Sequence, residues 1–385
     1  MTSRRRRSGA AEPSYAVQAA SPPVQAFFSQ RCVTRCGLPV LAHACVAPEA
    51  LHEAARRVDA ALCNLPRVAA RLLRLGASVQ LIGAQQACSD LPQYAHLASD
   101  AAARAAFDAR GRGYGGLCPS CGEENLLRLA SDRYTDHRDI LTHELSHTVM
   151  DWGFPPAAAA ALRRRCEAVR AASAERWSGA YAASCASEFF AECSMWHHGS
   201  RGDYGRILPQ PQEGRAWLQR HDADAAQLLR EVFAGAFPLV SDADEAADAV
   251  TELQCCTADN PRSADETAGG APAASTLLVA NGTAGRVTLA WVPASGDDVA
   301  YASVPPYGVV GQQTFAGHAW RIAAADGGAC LGVFVATAGL CRVRLGDEDA
   351  AAATMMVPMR RRGRAAGEAA SSSRPRRRGR AAEPR

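Results

Sequence analysis

The chain has 385 residues, 48% of them hydrophobic, and its 42 basic residues are all arginine, against 39 acidic ones, for a net charge of +3. That length has room for two domains, and no stretch approaches the roughly 18 apolar residues of a membrane span. Arginine is concentrated in Arg4–Arg7 and in two RRRGR runs between Arg360 and Arg380, so the charge balance excludes a protein-wide basic surface for nucleic acid. No apolar stretch follows the first arginines, so no secretory leader is expected, and a cytoplasmic, nuclear or particle-packaged protein fits better than a secreted one. The fourteen cysteines then read mostly as free thiols or small buried hydrophobes.

In chain order, residues 1–25 are polar, Ala- and Pro-rich, and expected to be disordered. Residues 26–240 form a dense, mostly helical first domain. Within it LHEAARRVDAALCNLPRVAARLLRLG (51–76) reads as helix, proline-marked break and helix, SVQLIGA (78–84) as a strand, and RAWLQRHDADAAQLLREVFAGAF (215–237) as closing helices. GEENLL (122–127) and YTDHRDI (134–140) suit the edge of a cleft, with no chemistry assigned to them. Residues 241–274 carry linker chemistry: Asp, Glu, Ala, Thr, Gly and Pro with few apolar anchors. Residues 275–348 switch to period two in six short segments, the pattern of a small β-sandwich. The fold class is therefore α+β: a mainly helical domain followed by a small C-terminal β-sandwich. The tail at 349–385 has two basic clusters around a small-residue spacer. It reads either as a nuclear address or nucleic-acid-contacting arm, or as a solvated disordered end.

The chemistry concentrates in ILTHELSHTVMDWG (140–153), which contains His-Glu-x-x-His. Positions i and i+4 share one helix face, so His143 and His147 can offer imidazole nitrogens to one cation, with Glu144 beside it as a base for a water. The bland alternative is two surface histidines on an ordinary helix. A catalytic zinc needs a third protein ligand and an open position. Met150 and Gly153 stand where a metzincin needs Gly and His, which excludes that class. Farther on, YAASCASEFFAECSMWHH (181–198) supplies Glu188 and Glu192, again at i and i+4. Glu188 is the expected third ligand and Glu192 an acceptor for a ligand imidazole. His197 and His198 are rivals, but adjacent residues on a helix point apart.

HELSH followed by Y-x(6)-EFFAE resembles the catalytic domain of the anthrax-toxin lethal-factor-like zinc metallopeptidases, a gluzincin-type family. The resemblance is tight over 140–195 and departs at Ser146, where the family often has glycine. It implies a zincin-type fold, one Zn2+ per chain on His143, His147 and Glu188, Glu144 as general base, and Tyr181 as hydrogen-bond donor to the oxyanion of a tetrahedral intermediate. CPSC (118–121) has no second CxxC to complete a zinc site, so Cys118 and Cys121 read as structural, in a disulfide or a simple loop.

From Asn281 through Trp320 the second module resembles, without a gap, the β-domain of the von Hippel-Lindau tumour suppressor family. Taken singly, Trp291 and Trp320 read as core aromatics and His318 as a satisfied turn residue. Together, the resemblance implies a 4-hydroxyproline pocket on Trp291, Tyr301, Thr314, His318 and Trp320, with Thr314 in place of serine. The family's elongin-binding helical domain has no counterpart. The combined expectation is a zinc metalloendopeptidase acting on protein or peptide substrates, hydroxyproline-containing ones among them, with no membrane partner. Its rival is a non-catalytic hydroxyproline-peptide binding protein on a zincin scaffold.

Overall fold

The computed structural model describes residues 15–19, 27–237, 250–256, 261–263, 273–325 and 328–346. The expectations for the tail at 349–385 and for most of 1–25 and 241–274 fall outside these residues. The molecule is mixed α+β. Its first unit holds a six-stranded sheet of strands β1 (Gln18–Ala19), β2 (Gln30–Val33), β3 (Pro39–Ala42), β4 (Val79–Ile82), β5 (Gly113–Tyr114) and β6 (Ser120–Gly122), in the order β1-β2-β3-β4-β6-β5. Strands β3, β4 and β6 run parallel, while β5 pairs antiparallel with β6 and forms the sheet's edge. Of these strands the sequence pattern revealed only β4. The others span two to four residues, too short for alternation to register.

Helices α1 (Pro48–Leu62), α2 (Pro66–Arg74), α3 (Ala101–Arg110), α4 (Glu123–Leu126), α5 (Ile140–Thr148), α6 (Pro156–Ala172), α7 (Ala186–His197), α8 (Arg215–His221) and α9 (Ala223–Phe233) complete this unit. In α1, Leu51, Ala54, Ala55, Val58, Ala61 and Leu62 recur at three- and four-residue spacing and are buried between the sheet and α5. Proline at the first position of α1 and α2 marks the break between them, as the sequence suggested. Helix α7 is buried continuously from Phe189 to His197, among α5, α6, α8 and α9. Cys118 and Cys121 are free thiols in the turn and strand that lead into α4, so the disulfide alternative does not hold. No described helix is long and apolar enough to cross a membrane.

The second unit has strands β7 (Thr251–Glu252), β8 (Ala274–Asn281), β9 (Val287–Val292), β10 (Val299–Val304), β11 (Val309–Phe315), β12 (Ala319–Ala324), β13 (Cys330–Val335) and β14 (Gly339–Leu345). They form two four-stranded sheets, β10-β9-β12-β13 and β11-β8-β14-β7. Leu277 and Val279 of one sheet share a core with Leu289, Trp320 and Ile322 of the other. Leu278, on the opposite face of β8, joins Leu340 in the core of the first unit. Strand β8 is thus apolar on both faces, a departure from the period-two alternation expected of this segment, because each face packs on a different core.

The two units pack directly. The Trp152 indole lies so close to Gly311 that any side chain there would collide with it. The connecting segment is also anchored where it is described. Strand β7 lies parallel to β14, with Glu252 ion-paired to Arg342, and the Ser263 hydroxyl accepts a hydrogen bond from the Ala319 amide at 2.9 Å. The described parts of the expected linker that pair with strands do so in the second unit: Thr251, Glu252 and Leu253 along the open edge of β14, and Ser263 with Val292 of β9 and Ala319 of β12.

Candidate metal centre

Helix α5 is held at its N-terminus by a buried ion pair. Asp139 caps the helix, accepting from the Thr142 amide at 3.1 Å and the Thr142 hydroxyl at 2.8 Å, and receives Arg57 Nη1 at 2.6 Å. Burial opposes charge on Asp139, but Arg57 and the Thr142 donors outweigh it and hold its carboxyl below the usual range. Asn125 adds a second brace: its amide donates to Asp132 and the Arg138 carbonyl, and its oxygen accepts from the Ile140 amide, each within 3.0 Å. The role of the GEENLL segment, unassigned from sequence, is to set where the His-bearing helix begins.

On that helix His143 Nε2 and His147 Nε2 lie 3.1 Å apart. Glu188 Oε2, from α7, approaches them at 3.1 Å and 3.3 Å. Glu144 belongs to the same cluster: His143, Glu144 and His147 offer ligand atoms that all lie within 4.8 Å of one another, a group that could hold a metal ion. Ligand atoms held tetrahedrally at about 2.0–2.1 Å from a cation sit about 3.3–3.4 Å from each other, close to the separations of the two Nε2 atoms and Glu188 Oε2. These contacts are as short as hydrogen bonds, yet Glu188 Oε2 has no well-directed donor. The two imidazoles are within hydrogen-bond reach of each other, and Glu188 Oε2 converges on the same point without a directed donor, an arrangement that fits a cation between the three.

The electrostatics agree. Burial works against a charged His143, but Glu188 and Glu192 outweigh it and hold its pKa well above the usual value. Burial also opposes ionisation of Glu188, and the two imidazoles hold its carboxyl well below the usual range nonetheless. Concentrated negative charge facing two histidines favours a cation. Burial raises the pKa of Glu144, opposed by His143 and His147, so this carboxylate is the more basic of the pair.

Glu192 and Tyr181, both singled out from the sequence, lie beside this cluster. Glu192 Oε1 lies 3.1 Å from His143 Nδ1, though not aligned for a full hydrogen bond, and Glu192 Oε2 receives the Asp203 amide. The Tyr181 ring stacks beside His143 with centroids 6.4 Å apart, and the residue is 48% exposed. Burial and the adjacent Glu188 carboxylate push its phenol up to about 12, so it remains a proton donor. Sequence reasoning missed Ser187, whose hydroxyl meets His147 Nδ1 at 2.9 Å. The only signal for it was its place beside Glu188 on the same helix. The rivals His197 and His198 pack against Phe233 instead, and burial depresses them to about 3 and about 4.

His143, Glu144, His147, Tyr181, Ser187, Glu188 and Glu192 line a cleft of about 590 Å3, and His197 and His198 do not. One wall is β5 and the turn after it. A side-chain carbon at Gly115 would stand 3.0 Å from His147 Cβ, a tight contact, so glycine lets the chain pass close to the helix without displacing it. Tyr134, Arg138 and Asp203 line the cleft as well, Arg138 being paired with Asp136 and Asp203.

The second set of candidate residues also converges. Trp291 and Trp320 are cross-strand partners on β9 and β12. The Trp320 indole N–H donates to the Thr314 hydroxyl at 3.1 Å, and His318 Nδ1 lies 3.1 Å from the same oxygen. Trp291 packs against His318 at 5.4 Å between centroids, and Tyr301, at a bulge in β10, meets Trp320 edge-on at 5.1 Å. The Trp291 indole N–H is buried without a partner. No protein-family model matches the chain, and no curated protein matches it with significance, so the reading of both sites rests on their own geometry and chemistry.

Proposed function

We propose that this protein is a zinc-dependent endopeptidase of the lethal-factor-like, gluzincin type, with an appended von Hippel-Lindau-like β-sandwich that binds peptides. The observation that carries this reading is the convergence of His143 Nε2, His147 Nε2 and Glu188 Oε2 within 3.1–3.3 Å, beside a basic Glu144. Nitrogen and carboxylate donors in that number suit Zn2+, one per chain, with a position left for a water or substrate.

When bound, zinc would supply Lewis-acid polarisation of the scissile carbonyl and acidify a water. Glu144, on the same helix and in the same cluster as His143 and His147, takes the proton of the attacking water and delivers it to the departing amine. Tyr181, protonated and half exposed at the cleft, donates a hydrogen bond to the carbonyl oxygen as charge develops there. The unpaired edge of β5 offers an extended peptide an antiparallel partner across the cleft mouth. In the second unit, the Thr314 hydroxyl and His318 imidazole sit among aromatic walls, an arrangement that suits the ring and 4-hydroxyl of hydroxyproline.

Zinc content and cleavage of a peptide library, wild type beside Glu144→Ala, test the proposal. The expected result is one zinc in both proteins, with cleavage by the wild type alone. Zinc in both and cleavage by neither would leave the β-domain as the functional part, a binding protein on a zincin scaffold.

A further inference from the structure

Next to the metal cleft, a second cavity of about 200 Å3 lies between the two units, and Gly115 and Gly116 line both spaces. The Thr148 hydroxyl donates to the Gly116 carbonyl at 2.6 Å, tying this shared wall to the helix of His143 and His147. Tyr94 and Leu117 border the cavity from the first unit, and Ala302, Pro305, Val309 and Val310 from the second, so its lining is mainly apolar. None of the lining residues is a carboxylate or an arginine, and burial keeps His96 uncharged at neutral pH by lowering its pKa. Tyr301 also lines the cavity and is 44% exposed, which marks the side open to solvent.

Surfaces packed like a protein interior leave few voids larger than a water molecule. An apolar cavity of about 150 Å3 already takes a benzene ring, so this one has room for a single large side chain. The direction of approach follows from β5. A carbon added at Gly113 would stand 3.3 Å from Glu144 Cγ, and one added at Gly115 would stand 3.3 Å from Glu144 Oε2, so the proposed base lies beside this stretch. A peptide antiparallel to β5 passes Gly116 before it reaches Glu144, which brings the amino side of the cleaved bond to the cavity. At about 3.3 Å per residue, the span from Gly116 back to Gly113 covers about three substrate positions.

We infer that this cavity is a subsite for one large apolar side chain, such as leucine, methionine or phenylalanine, carried by the substrate within about three residues on the amino side of the cleaved bond. The inference rests on the peptidase reading above. It gives the second unit a part in choosing the bond, because Ala302, Pro305, Val309 and Val310 supply one side of the subsite. A charged side chain would enter without a counter-charge, and alanine would leave most of the space empty.

The test uses the full-length zinc-loaded protein as wild type, Val309→Trp, which fills the cavity, and His96→Glu, which puts a carboxylate in its wall, with thermal melts to confirm folding. A peptide library reads kcat/KM at each position, and saturation-transfer NMR reads binding of N-acetyl-leucine amide, N-acetyl-alanine amide and N-acetyl-arginine amide. The wild type should favour leucine over alanine by about tenfold or more at one fixed position on the amino side of the cut, and should bind the leucine probe best. Val309→Trp should lose that preference while still cleaving peptides with alanine there, and His96→Glu should shift it towards arginine. No leucine preference on that side of the cut, or one unchanged in both folded variants, overturns the subsite. A leucine-probe preference that both variants remove, without cleavage of any peptide, sinks the peptidase reading and retains the cavity as an apolar binding site.

Discussion

Glu192 Oε1 stands 3.1 Å from His143 Nδ1, on the side of the imidazole away from Glu188. One carboxylate therefore touches the ring nitrogen that faces the cluster and a second touches the nitrogen that faces away, both from α7 and one helical turn apart. Outer contacts of this kind orient a ligand imidazole and raise its basicity. Glu192→Gln and Ser187→Ala should each weaken zinc binding by about 10–100-fold while leaving one site per chain. Competition against a chromophoric chelator measures this, and unchanged affinity in both variants would contradict the arrangement.

Removing the metal should also lower stability, because a cation that binds only the folded state adds stability by mass action. A melt of the chelated protein should fall below that of the zinc-loaded form, and added zinc should restore it. His143→Ala and Glu188→Ala should lose the zinc-dependent shift, whereas Glu144→Ala should keep it. A zinc-dependent shift that survives in Glu188→Ala would remove that residue from the ligand set.

The Asp139–Arg57 pair predicts a pH dependence. The carboxyl of Asp139 is lowered in the folded chain, so its contribution is complete above the unfolded value of about 3.9 and fades as pH falls through the folded one. Arg57→Met leaves that carboxylate buried and unpaired, at a cost of about 3–5 kcal/mol at neutral pH. Urea titrations at pH 7 and below pH 4 should show the gap between variant and wild type shrinking at acid pH. A constant gap would mean the pair does not govern it.

Much of the candidate metal site was legible because its residues sit on two helices. The i, i+4 spacings in HELSH and EFFAE put His143 with His147 and Glu188 with Glu192 on common faces, and packing α5 against α7 did the rest. What stayed hidden was what depends on residues distant in sequence. Arg57 reaches Asp139 across 82 positions, and the edge strand β5 is two residues long, so neither leaves a periodic trace. The connector shows a different limit. Its composition is that of a linker, yet Thr251, Glu252 and Ser263 are held by partners that no local reading supplies.

Thr314 offers a compact test of the second unit. Its hydroxyl takes the Trp320 indole N–H and faces His318, so Thr314→Val keeps the shape and removes the polar centre. Discrimination of hydroxyproline over proline peptides should fall by roughly fivefold, about one neutral hydrogen bond. Calorimetry on the Glu144→Ala background reads binding without cleavage, and an undiminished ratio would place recognition elsewhere.

Gly311 and Trp152 allow the contact between units to be probed alone. Gly311→Val forces a branched side chain into the indole and should cost about 1–3 kcal/mol of stability. The melting temperature should drop, and an unchanged melt would show that the two units do not bear on each other there.

Strand β8 presents Leu278 to one core and Leu277 and Val279 to another, so it works as a party wall. Neither household can be sold separately. A fragment cut at the composition boundary would carry an exposed apolar face on one side and lack β7 on the other. A peptide reader grafted from elsewhere would need to bring its own fit for Trp152. What can be inherited or exchanged in this architecture is the joined pair, with its bearing surface intact.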